Sequence, residues 1–168
     1  MQQAGMKTVL RSMITILSGG QTGVDRAALD AALASGTRAE GWCPHGRRAE
    51  DGRIPDKYPL RELPGADYLQ RTEQNVADSD ATLIIYFGRL HGGTARTLDF
   101  CRARSKSFLS IDGSRVSESD AAARIMDFIV REGITRLNVA GPRASGDPRA
   151  YPYTLATLAL ILSDPEDD

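Results

Sequence analysis

Apolar and polar positions along this chain alternate between two periods, and they lay out a succession of strands and helices. An apolar run from Met13 to Leu17 predicts a buried strand, and the alanine-rich run from Ala27 to Ala34 predicts a helix. That helix is apolar almost all round, with Ala27, Ala28, Leu29, Ala31, Ala32 and Leu33, so it should be buried, and its small side chains permit close approach to a sheet. Ser35-Gly36 ends it. Asp67 to Ser79 predicts a polar helix whose apolar face, Tyr68, Leu69, Thr72 and Val76, is weak. Ala81 to Phe87 is the clearest strand, and its unbroken apolar character suggests burial on both faces, as in a parallel sheet. A helix from about Ala95 to Arg104 and a short strand from Phe108 to Ile111 follow. Ala122, Ile125, Met126, Ile129 and Val130 recur at helical spacing, and Gly133 closes that helix. Thr135 to Ala140 is a further strand, and Tyr153 to Leu162 a final apolar helix.

This order predicts an α/β domain with a mostly parallel sheet and helices on both faces. It divides the chain into an N-terminal extension (1–12), one ligand-binding domain (13–163) and a frayed acidic tail (164–168). Gly41 to Pro59 does not fit the alternation: turn residues and charges, among them Pro44, Gly46, Arg47, Arg48 and Glu50, follow no period. An irregular stretch this long in a compact domain is usually functional or mobile.

Composition narrows the class of partner. A formal net charge of -1 over 168 residues and only 6% aromatics disfavour a protein built to hold nucleic acid. No apolar stretch approaches a membrane span, and the N-terminus lacks the apolar core of a signal peptide. Cys43 and Cys101 lie far apart and form no CxxC, which suits a cytoplasmic, reduced, disulfide-free protein.

The candidate chemistry lies in three glycine-containing loops, each after a strand: Ser18 to Asp25, Gly88 to Thr94 and Gly141 to Gly146. Ligands of parallel sheets bind beyond the carboxyl ends of strands, so the three loops should share one cleft. Gly19, Gly20 and Gly23 lead directly into a helix, whose unpaired N–H groups and macrodipole make an anion site; phosphate is the usual occupant. The spacing is neither GxGxxG nor the phosphate loop GxxxxGK[ST]. Gln21 lies within this loop, and Thr22 and Asp25 are spaced like a capping box; Asp25 could equally accept a ligand donor such as a pterin or purine edge. Gly92, Gly93 and Thr94 could cradle a second polar group, with Thr94 a natural N-cap. Arg47, Arg48 and Arg143 carry forks suited to oxyanions, although most surface arginines are simply solvated. Trp42 belongs in the core or stacks on a flat ring, and Glu73 and Asn75 are a solvated helix face or reach the cleft. His45, His91 and Cys43 make no metal site, and no nucleophilic triad can be assembled.

Ser18-Gly-Gly-Gln-Thr-Gly-Val-Asp25-Arg26 and Gly41-Trp-Cys-Pro-His-Gly-Arg-Arg-Ala-Glu-Asp-Gly52 resemble the molybdenum carrier protein family. So do Tyr68 to Asp80, Gly92-Gly93-Thr94 and Gly141 to Ser145, and the resemblance covers about Ile14 to Leu162. It implies a Rossmann-like, doubly wound fold, shared with the lysine-decarboxylase-like nucleotide hydrolases and the DNA-processing protein DprA. It implies a homo-oligomer, dimer or tetramer, that holds molybdenum cofactor (molybdopterin) as cargo, or a related small phosphate-bearing ligand, without transforming it. Cofactor-binding residues would then be Gly19, Gly20, Gln21, Thr22, Gly23, Asp25, Arg47, Arg48, Gly92, Gly93, Thr94, Arg143 and Ser145. No structural metal, membrane or nucleic-acid partner is expected. The competing reading is a nucleotide-binding protein or a nucleoside monophosphate N-glycosidase. Those hydrolases carry PGGxGTxxE; here His91 replaces the proline, Ala95-Arg96 replaces the second glycine-threonine pair, and Asp99 stands at the glutamate position.

Overall fold

The computed structural model describes residues 2–164 and realises the alternation as a parallel sheet with helices on both faces. α1 (Gln2–Met13) leads into β1 (Thr15–Leu17), followed by α2 (Val24–Ser35) and β2 (Arg38–Glu40). The stretch that lacked a period holds three two-residue strands, β3 (Trp42–Cys43), β4 (Arg48–Ala49) and β5 (Gly52–Arg53), and a fourth, β6 (Arg61–Glu62), follows it. The regular succession then resumes with α3 (Tyr68–Asp78), β7 (Ala81–Tyr86), α4 (Gly92–Ala103), β8 (Ser107–Asp112), α5 (Glu118–Glu132), β9 (Arg136–Ala140) and α6 (Ala150–Leu162).

The main sheet has five strands in the order β2-β1-β9-β7-β8, and every pairing in it is parallel. Both the apolar runs of β1 and β7 and the last strand, β9, are almost wholly buried, so this centre is the core. α2, α5 and α6 pack together on one face, and α3 and α4 pack together on the other, so the sheet is doubly wound and Rossmann-like. The chain leaves the middle in one direction from β1 to β2 and in the other from β7 to β8, and β9 fills the gap between β1 and β7. The carboxyl ends of β1, β9 and β7 are therefore neighbours, and the loops leaving them meet at one rim. Among the described residues no helix is long and apolar enough to cross a membrane.

Some local details add to the expectations from the sequence, and others correct them. The polar N-terminal extension is helical: α1 turns Leu10 towards the core, and Arg11 bonds the Leu162 carbonyl at 3.4 Å and the Asp164 carboxylate at 2.9 Å. Asp164 is thus tied down, and the rest of the predicted tail lies outside the described residues. Thr22 and Asp25 do not form a capping box: the N-cap of α2 is Gly23, at φ 81, with no side-chain cap. α4 begins at Gly92 with His91 as N-cap, so Thr94 lies inside the helix and does not cap it. Trp42 is half-buried, its indole N–H donating to Asp78 at 2.6 Å and the Arg61 guanidinium over its ring.

Candidate functional site

The meeting loops enclose a cavity of about 360 Å³. The first loop contributes Gln21 and Asp25, and α3 contributes Tyr68, Leu69, Arg71 and Thr72. The start of α4 brings His91, Gly92, Gly93 and Thr94, and the loop after β9 brings Gly141, Pro142, Arg143 and Gly146.

Two features make this cavity receptive to an anion. One is the N-terminus of α4. Its first helical bond runs from the Ala95 amide to the His91 carbonyl at 3.3 Å, which leaves the amides of Gly92, Gly93 and Thr94, three residues that line the cavity, ahead of the hydrogen-bonded ladder. A Cβ at Gly92 or Gly93 would meet no atom within 4 Å, so a ligand can approach the backbone there. Thr94 is only 9% exposed, lines the cavity, and its hydroxyl has no protein partner among the described residues.

The other feature is Arg71, whose side chain is 11% exposed and stands 3.3 Å from the Asp25 carboxylate. Its Nε is buried with no hydrogen-bond partner among the described residues. The guanidinium lies so close over Gly19 that a Cβ there would overlap it, which accounts for glycine at that position. Asp25 also accepts from the Gln21 amide at 3.3 Å. Burial pushes the Asp25 carboxyl up, against the opposing pull of Arg71, the Gln21 amide and Arg26. The pair sits in the cavity wall, where breaking it would leave an uncompensated charge.

Of the residues singled out from the sequence, Gln21, Asp25, Gly92, Gly93, Thr94 and Arg143 line the cavity. The first glycine turn serves the fold. Its Gly20 amide donates to the Ser18 hydroxyl at 3.2 Å, its Thr22 amide to the Gln21 side chain at 3.0 Å, and the Val24 amide to the Pro142 carbonyl at 3.2 Å. The protein itself thus takes the first amide of α2, and the helix end whose opening residues line the cavity is that of α4. Gly20 backs onto Leu60 and Ile54, and Gly23 onto the backbone of Pro142 to Ala144. Thr22 and Ser145 both bond Glu50. Arg143 lines the cavity with its Nε 3.8 Å from the same carboxylate.

Arg47 and Arg48 do not reach the cavity. Arg47 is buried and donates to the carbonyls of Ile54 (3.1 Å), Leu60 (3.0 Å), Pro55 (2.8 Å) and Tyr58 (3.0 Å), so it holds the irregular stretch together from inside. Arg48 is exposed, with its Nε on the His45 carbonyl at 3.0 Å. Asn75 likewise has a structural task, bonding both the amide and the carbonyl of Trp42, and Glu73 pairs with Arg104. Cys43 is fully buried, and burial pushes its thiol up, away from the thiolate a metal would need.

Sequence reasoning passed over Arg71, Tyr68, Leu69 and Thr72 as site residues. The available signal was the weak apolar stripe of α3: a helix with a small buried face turns much of its surface to something other than the core.

A family model described as "Circularly permutated YpsA SLOG family" matches residues 16–162. The chain is also similar to a crystal structure of a protein named "Putative molybdenum carrier protein" from Syntrophus aciditrophicus SB. The two share 49% identity over 90% of this chain and 96% of that one, with a TM-score of 0.87. Among curated proteins nothing matches.

Proposed function

The chain belongs to the circularly permutated YpsA SLOG family, and on that premise we propose that it is a carrier, binding and releasing molybdenum cofactor or a related phosphate-bearing small molecule in the cavity at the carboxyl rim of its sheet. The observation that supports this most is the open N-terminus of α4 in the same cavity as Arg71, whose buried Nε has no partner among the described residues. Oriented amides and a guanidinium around one space form a receptor for a negative group. The amides of Gly92 and Gly93 and the Thr94 hydroxyl would take the anionic end, with Arg71 and Arg143 supplying charge. Tyr68 and Leu69 offer apolar surface for the rest of the ligand. A volume of about 360 Å³ falls in the range of small-molecule sites, roughly 300–1,000 Å³. The molybdenum part of the reading leans on the name carried by the solved relative. Against the hydrolase reading, Asp99 is exposed and outside the cavity lining.

The test is to purify the wild-type chain, Arg71→Met and Thr94→Val from a host that makes the cofactor, then measure molybdenum by elemental mass spectrometry and pterin by fluorescence after oxidation. Both signals should accompany the wild type and fall about tenfold or more in Arg71→Met, given the strength of a charge-assisted hydrogen bond. A wild-type protein free of both signals but carrying a nucleotide by mass would replace this reading with the nucleotide-binding one.

A further inference from the structure

Beside the cavity, a second group of anion donors is already filled, by the protein's own carboxylate. Glu50 lies in the turn between β4 and β5, which pair antiparallel as a short hairpin. Its carboxylate accepts from the Thr22 hydroxyl, from the Ser145 amide at 3.1 Å and from the Ser145 hydroxyl at 2.5 Å. The Arg143 Nε stands 3.8 Å away, and the Thr22 hydroxyl in turn accepts from the Ala144 amide at 3.1 Å. Partial burial pushes the Glu50 carboxyl up, but the bonds from Ser145 and Thr22 and the charge of Arg143 outweigh it and hold the group below its usual range. Two hydroxyls, an amide and a guanidinium converging on one carboxylate are the donor set by which proteins bind phosphate and similar oxyanions. Every donor comes from the first or third loop, the same loops that wall the cavity, and Arg143 reaches both places. Gln21, another cavity residue, holds the hairpin by accepting from the Glu50 amide at 2.9 Å.

We propose that Thr22, Arg143 and Ser145 form a second subsite for a tetrahedral oxyanion, and that Glu50 occupies it until an anionic group of the ligand displaces it. This rests on the carrier reading of the adjoining cavity. Displacement exchanges one set of acceptor oxygens for another, so the donors stay paired in both states, and the freed carboxylate moves into water. The two-residue strands of the hairpin bury little, which makes its local opening inexpensive. An internal competitor scales net affinity down to the fraction of time the subsite is free, which suits a protein that must surrender its cargo.

Calorimetric titration with inorganic molybdate and inorganic phosphate tests this on the wild type, Glu50→Gln, Glu50→Gln with Thr22→Val, and, as a control for a neighbouring charge, Asp147→Asn, a carboxylate two residues after Ser145 that pairs with Arg149 at 2.8 Å. Glu50→Gln should bind about five- to tenfold more tightly. The gain should vanish when Thr22→Val is added, and Asp147→Asn should change affinity less than about twofold. Hydrogen exchange on the wild type provides a readout that needs no variant to fold: molybdate should speed exchange at the hairpin amides, including Glu50. Equal or weaker binding by a folded Glu50→Gln, an equal gain in Asp147→Asn, or hairpin exchange that does not change with bound ion would each overturn the subsite and leave the cavity reading standing. Absence of binding of either ion to every chain would overturn both.

Discussion

Replacing Arg47 with methionine should make the chain much easier to unfold while leaving the anion affinity of the folded protein unchanged. Methionine approximates the length of the side chain but donates nothing, so the carbonyls of Ile54 and Leu60 lose their donor, and those of Pro55 and Tyr58 keep only a backbone amide each. A hydrogen bond from a charged donor contributes about 1.5–3 kcal/mol, but water can reach part of this segment once the fork is gone, so about 1 kcal/mol for each carbonyl is a fair net. The loss is then about 4 kcal/mol, a large share of the roughly 5–15 kcal/mol that holds a typical domain folded. With a urea slope of about 2 kcal/mol/M the unfolding midpoint should fall by about 2 M. Arg47 also sits at φ 54, in the left-handed region, a cost that its four bonds offset and that methionine inherits without them. Arg47→Lys keeps the charge but offers one nitrogen, and should recover less than half of the loss. The assays are urea unfolding by circular dichroism and calorimetric titration with molybdate. A methionine variant with a wild-type midpoint and abolished anion binding would refute the reasoning and return Arg47 to the ligand.

Two further substitutions probe the rim. Gly23→Val should fail to give a native thermal transition, because its Cβ would run into the backbone of Pro142 to Ala144 at a residue held at φ 81; a stable, folded variant would show that this contact is dispensable. Asp25→Asn keeps an acceptor for the Gln21 amide but leaves Arg71 without its counter-charge, so molybdate affinity should rise severalfold, and a fall would show that the carboxylate itself aids binding. The same variant carries a pH signature. Because the folded chain raises the Asp25 pKa, that group's contribution to stability is present below its unfolded pKa and is lost as pH rises through the folded value. Urea midpoints should therefore decline less steeply with pH in Asp25→Asn than in the wild type, across the range just above ordinary carboxylate titration.

How far the sequence could carry this account depends on how local each signal was. Glycine turns after apolar strands are local patterns, so the convergence of three loops could be read from Gly19-Gly20, Gly92-Gly93 and Gly141 alone. Which helix end stays open could not. The first amide of α2 is taken by the carbonyl of Pro142, a residue more than a hundred positions away, and it is the opening residues of α4 that line the cavity. Arg47 looked available to a ligand because nothing in its neighbours' identities reveals that the surrounding backbone turns four carbonyls inward. Arg71 was overlooked for the converse reason: its reach to Asp25 and Gly19 exists only once α3 is laid against the sheet. α1 escaped notice because its mixed composition packs against α6, a partner at the other end of the chain.

The clasp between Arg11 and the residues following α6 has a practical side. It joins the last turn of α1 to the residues after α6 at the edge where β1 begins, at the opposite end of the strands from the ligand mouth. A surface tether, an affinity handle or a dye attached beside this clasp would therefore leave the mouth facing bulk solvent. Immobilised chains could be loaded and emptied repeatedly, and uptake followed in real time on the anchored protein.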